Sequence, residues 1–145
     1  MLHLTDWDGR DRIVETLPQD GAGAFGVGSQ LLFADRKGFR RLMTGKADDY
    51  LPYGELMANR AGWATDGERL VWSKVTRVID QGNYKDLRST VYMAYPARPT
   101  VAPVVLLEDV RSVSELAVDA RGIAWVENVL GPEYATPILM MADFV

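Results

Sequence analysis

The sequence predicts an all-β chain of antiparallel strands, and three observations carry that prediction. Short apolar runs recur (AFGVG, LLFAD, GWAT, RLVWSKV, TVYMAY, PVVLLEDV, ELAVD, IAWVENV, PILMMADFV), each of about 4 to 9 residues and each ended by Gly, Asp, Asn or Pro. They are rich in Val, Ile, Leu and aromatics, the types that suit a pleated, half-buried surface. Helical periodicity is poor: the best stretch, Glu55 to Ala64, is interrupted by Gly62 and followed by the turn signal Asp66-Gly67. The third observation is a repeat. Three segments, Phe25 to Phe33, Trp63 to Trp72 and Leu116 to Trp125, each run large apolar, small, Val or Thr, turn, Leu or branched, any residue, aromatic.

The aromatics that close these segments, Phe33, Trp72 and Trp125, lie 39 and 53 residues apart. Such periods fit one four-stranded blade of a β-propeller, the second lengthened by an insertion. Taking each segment as the first two strands (A and B) of a blade places the rest in order. MLHLTDWDG and RDRIVETL form a C and D pair joined at Asp8-Gly9; GFRRLMTG is C and YLPYGELMANR takes the place of D in the next blade. After RLVWSKV come the insertion TRVIDQGNYKDLRST, then STVYMAY as C and APVVLLEDV as D; ATPILMMADFV is the C strand of the last copy. The fold class predicted is thus a partial β-propeller of about three blades: a half-blade over 1–20, blades over 21–60 and 61–111, and a partial blade over 112–145, all one unit. Pro96, Pro99 and Pro103 bracket a C to D connection as a rigid turn.

The hairpins LLFADR, LVWSKV and IAWVEN, each after a motif such as LAVD, resemble the repeats of six-bladed propellers of the TolB and YWTD type. No copy spells YWTD, and only the third has both Val118-Asp119 and an aromatic in the matching place. The resemblance implies a scaffold used for protein binding, for docking and in some hydrolases; fold alone supplies no activity.

Net charge is −4 over 145 residues, so no overall positive field holds a polyanion, and the one basic cluster is Arg36, Lys37, Arg40 and Arg41. Nucleic acid is not an expected partner. With no cysteine, disulfides, thiolate metal sites and cysteine nucleophiles are excluded together. The start MLHLTDWDGRDR carries acids where a signal peptide needs an apolar run, and no run approaches the length of a membrane helix.

Gly21-x-Gly23-x-x-Gly26 has the spacing of a dinucleotide-binding loop, but that loop needs a helix after it to hold a pyrophosphate on free amides. Val27 to Asp35 reads as the second half of a hairpin, so these glycines are expected to serve a sharp turn. His3 is the only histidine, which rules out a multi-histidine zinc site. The pairs Asp6/Asp8, Asp48/Asp49 and Glu108/Asp109 lack the alternation of a calcium loop and read as solvated turn acids. Phe25, Phe33, Trp63, Trp72 and Trp125, at equivalent repeat positions, read as core.

Candidate ligand contacts fall in connections and strand ends. They are Tyr84 and Lys85 of the insertion, read as a polar loop; Arg36 of the basic cluster; Asn59 and Arg60, closing the first D segment; and Glu127 and Asn128, at the end of strand B in the third copy. No catalytic residue and no resident metal is expected. The leading reading is a non-catalytic binding or scaffolding module, with a protein or small-molecule ligand at one mouth of a ring. The alternative is a calcium-assisted hydrolase or lactonase of the gluconolactonase-like propeller type, using Glu127, Asn128 and loop acids as oxygen ligands. A third is a fragment of a larger propeller. The half-blades at both ends motivate a homodimer that completes a six-bladed ring.

Overall fold

The computed structural model describes residues 2–5, 9, 11–15, 23–35, 37–43, 46–51, 53 and 62–145. Among the described residues every regular element is a β-strand and every pairing is antiparallel. The chain divides into two compact units, Met1–Leu56 and Met57–Val145.

In the first unit, β1 (Leu2–Thr5) and β2 (Asp11–Glu15) form a hairpin, and β3 (Gly23–Val27), β4 (Gln30–Asp35), β5 (Gly38–Met43) and β6 (Lys46–Tyr50) form a four-stranded meander. Of the glycine motif, Gly23 and Gly26 lie inside the first strand of a hairpin and not in a turn, and Gly21 lies outside the described residues. Val27 pairs with Gln30, leaving the two-residue loop Gly28-Ser29 with Gly28 at φ 57°, the place where a type II′ turn needs glycine. Between β4 and β5 the Asp35 carboxylate accepts from the Lys37 amide at 2.8 Å. Leu32, Phe33, Ala34 and Phe39 are buried and form the centre of this sheet.

The fourth strand arrives earlier in the chain than expected. Met43 pairs with Lys46, so KADDY supplies β6, and of the segment read as D only Tyr50 lies in that strand. An outer strand tolerates charge because one edge meets solvent, and so KADDY carries no apolar signal.

The second unit is one six-stranded antiparallel meander in chain order: β7 (Trp63–Thr65), β8 (Leu70–Asp80), β9 (Lys85–Ala94), β10 (Val104–Val118), β11 (Gly122–Leu130) and β12 (Ala135–Asp143). The insertion is not a loop. Its residues lengthen β8 and β9 into a hairpin arm, with Ile79 opposite Asp86 and Asp80 opposite Lys85, and only Gln81 to Tyr84 turn. Two strands that already pair at Val71 and Trp72 extend their ladder at little entropic cost, which satisfies backbone groups a polar loop would leave to water.

β10 carries the expected D strand and the next A strand in one element. It pairs with β9 through Arg111 and with β11 from Ser112 onward. Fifteen residues in a straight strand would span roughly 50 Å at about 3.3 Å per residue. Yet Val104 pairs with Met93, Val118 pairs with Ile123, and one side chain, Arg69, reaches rings next to both pairs: Tyr95 at 6.0 Å and Phe144 at 5.5 Å. β10 is therefore sharply bent. Its bend falls where the partners change, just past Asp109 at φ 54° and the register shift between Leu107 and Val110. The boundary read at 111/112 lies inside this strand, at that bend.

Bending brings the second half of β10 against β7: a Cβ placed on Gly62 would meet the Ser114 carbonyl oxygen at 3.5 Å. Between the two halves lies a core of Val71, Val91, Val113, Ile123 and Trp125. On the other face of β8 and β9, Trp72 stacks on Tyr92 with centroids 5.7 Å apart, so β8 is buried on both faces around Val71 and Trp72. The closing aromatics Phe33, Trp72 and Trp125 are all buried, as expected of core, while Phe25 and Trp63 are half-buried.

Candidate functional site

Two hairpin turns of the second unit are built by the same device. The Asp66 carboxylate accepts from the amides of Glu68 (2.9 Å) and Arg69 (2.7 Å); the Asp119 carboxylate accepts from the amides of Arg121 (2.8 Å) and Gly122 (3.0 Å). In both, aspartate bonds the backbone two and three residues on, which fixes the turn. Burial disfavours the Asp66 carboxylate, but these two amides and the Arg69 guanidinium outweigh it and hold its pKa below the ordinary value. The amides of Arg121 and Gly122 lower Asp119 likewise. Arg69 bonds Asp66 at 2.6 Å and lies over Tyr95 and Phe144, while the Phe144 amide donates to the Arg121 carbonyl at 2.6 Å. These contacts set both turns on one side of the unit.

β8 and β11 both start from those turns, and the connections Gln81 to Tyr84 and Gly131 to Tyr134 follow at their far ends. There the expected ligand contacts separate. Tyr84 is half-buried and its carbonyl accepts from the Gln81 amide at 2.9 Å; Lys85 is exposed at the start of β9. Both sit at the tip of the arm, Tyr84 closing its turn and Lys85 opening β9. Arg36, Asn59 and Arg60 lie outside the described residues.

Glu127 and Asn128 lie within β11 and not at its end, which is Leu130. As neighbours in a strand they face opposite sides of the sheet. The Glu127 carboxylate accepts from the Trp125 indole N–H at 3.0 Å, and the Asn128 amide group donates to the Ser112 carbonyl at 3.3 Å. Each has a local structural partner, and the two are not brought together toward a single ion. Among the described residues no three His, Cys, Asp or Glu side chains are grouped as metal ligands would be. The open cleft beyond them, about 400 Å3, is lined by Val129 to Tyr134 and Thr136 and includes neither.

A second open cleft, about 320 Å3, lies at the turn side, between Ala117, Ala124 and Met141 with Asp119, Arg121 and Asp143 on its rim. Sequence reasoning missed it because its lining comes from three strands, and alanines carry no signal of their own. The last strand is open: Leu139 is 69% and Met141 75% exposed, and β12 pairs with β11 alone.

Comparison with family models, with curated proteins and with solved structures finds no match for this chain. Among the described residues no helix is long and apolar enough to cross a membrane.

Proposed function

We propose that the chain is a non-catalytic binding or scaffolding module built as a partial propeller, with its ligand taken at the end where strands B lead into strands C. The observation that carries this reading is the repeated unit. Two antiparallel sheets, β3 to β6 and β7 to the first half of β10, each follow in chain order as A, B, C and D, and the second half of β10 with β11 and β12 follows as A, B and C. Asp66 and Asp119 fix equivalent A to B turns by the same bonds. The partners that Glu127 and Asn128 already hold favour a structural use of those residues over a catalytic one.

A module of this kind presents unpaired edges, and β12 is a long apolar one. A second copy completing a six-bladed ring is the partner this reading names. Size exclusion with light scattering on the purified chain tests it. The expected mass is that of two chains, independent of concentration through the micromolar range; a monomer with a cooperative melt overturns the ring.

A further inference from the structure

Three arginines from distant parts of the chain stand side by side on one face of the second unit. Arg88 in β9 is directly opposite Arg77 in β8 on one edge and directly opposite Arg111 in β10 on the other. Residues directly opposed on neighbouring strands share a face, with Cβ atoms about 5 Å apart, and like charges in that relation destabilise the pair. Lys74 adds to the row: it is opposite Thr90, which shares the face of Arg88 two residues away. The hydroxyls of Thr76 and Thr90, 3.2 Å apart, lie on the same face.

The charges on this face do not cancel. Asp109 takes Arg77 in a two-pronged contact of 2.6 Å to each oxygen, and Asp86 takes Arg88 at 3.0 Å. Among the described residues neither Lys74 nor Arg111 has an ion-pair partner. The Arg88 Nε is buried with no hydrogen-bond partner, and its side chain is only 26% exposed. Four cations against two acids make a positive patch on a chain whose net charge is −4. The cluster of Val71, Val91 and Val113 lies on the opposite face, and on this face the row stands beside the Trp72–Tyr92 stack.

We infer that Lys74, Arg88 and Arg111 form a binding site for an oxyanion, a phosphate or carboxylate group, across strands β8, β9 and β10. Guanidinium groups present paired N–H donors that match such a group, and an anion held between neighbouring arginines turns their repulsion into shared attraction. The threonine hydroxyls supply neutral donors beside it. This names a ligand chemistry for the binding module and rests on that reading only in giving the chain a ligand to hold.

The test is a titration of the isotopically labelled full chain, followed by amide shifts, with inorganic phosphate in one arm and a short polyglutamate peptide in the other. Sodium chloride at matched ionic strength is the control. Saturable shifts at Lys74, Arg88 and Arg111 are expected, and Arg111→Gln or Lys74→Gln should weaken binding by about tenfold each. Saturation with phosphate alone assigns the site to phosphate groups, and saturation with the peptide alone assigns it to carboxylates. A second readout is thermal. Without added anion Arg111→Gln should melt at or above the parent temperature because it relieves repulsion, and the saturating anion should raise the parent's melting temperature more than the variant's. Shifts that chloride reproduces, or a variant that melts lower without anion, overturn the site. A two-chain or one-chain mass leaves this result unaffected, so the ring and the anion site fail separately.

Discussion

Asp66 shows how one carboxylate can hold a hairpin. Its oxygen accepts two backbone amides and its partner Arg69 bridges to Tyr95 and Phe144, so the turn, the end of β9 and the residue after β12 meet at one guanidinium. The bond to Asp66 raises the Arg69 pKa, and Asp66 itself titrates below its ordinary value. A carboxylate whose folded pKa is depressed contributes stability that is present above its unfolded pKa and is lost as pH falls through the folded one. Asp66→Asn should therefore cost about 1 kcal/mol at neutral pH, solvent screening included, and should flatten the fall in stability below the ordinary carboxylate range. Urea unfolding of parent and variant at neutral and acid pH measures both effects; an unchanged acid slope would remove Asp66 from this role.

At the scale of the element, the β11 to β12 contact rests on a missing side chain. Gly122 is opposite Asp143, and a Cβ at Gly122 would run into the Ala142 carbonyl oxygen. Backbone cannot give way as a side-chain tip can, so Gly122→Ala must push β12 off or unpair its end. A loss of about 1 to 3 kcal/mol is expected, the usual cost of overpacking. Hydrogen exchange should localise it, with faster exchange over Met141 to Asp143 and no change in β8 and β9.

The whole molecule carries an open apolar margin. β12 has large apolar side chains exposed on both faces, Leu139 and Met141 on one and Ile138 (40%) and Met140 (37%) on the other. In a strand buried on one face, only alternate residues would be apolar. Leu139→Lys should cost less than about 0.5 kcal/mol in the isolated chain, because an exposed side chain loses little on replacement. If β12 is covered by a second copy, the same change shifts assembly to higher concentration, read by light scattering across a dilution series. An unaltered mass profile would place the interface elsewhere.

How much of this was legible in the sequence follows from how local each signal is. The hairpins around Phe33, Trp72 and Trp125 could be read because alternation, a turn aspartate or glycine and an aromatic all lie within ten residues or so. The fourth strand of the first unit could not, because KADDY offers no apolar pattern. The arm was misread as a loop for a similar reason: its polar residues look like a connection until the ladder of β8 and β9 is seen to continue through them. Of the candidate ligand contacts, Tyr84 and Lys85 were read on a polar loop and stand instead where β8 turns into β9, while Glu127 and Asn128 gave no hint that Trp125 and Ser112 would occupy them.

By itself, the sequence determined the strand content, the antiparallel hairpins and the buried aromatics, since each depends on residues a few positions apart. Tertiary structure alone decided the bend of β10, the close approach at Gly62 and Gly122, and the alignment of Arg77, Arg88 and Arg111. Those depend on register, and register is set by the sum of pairings along whole strands, which no short stretch of sequence contains.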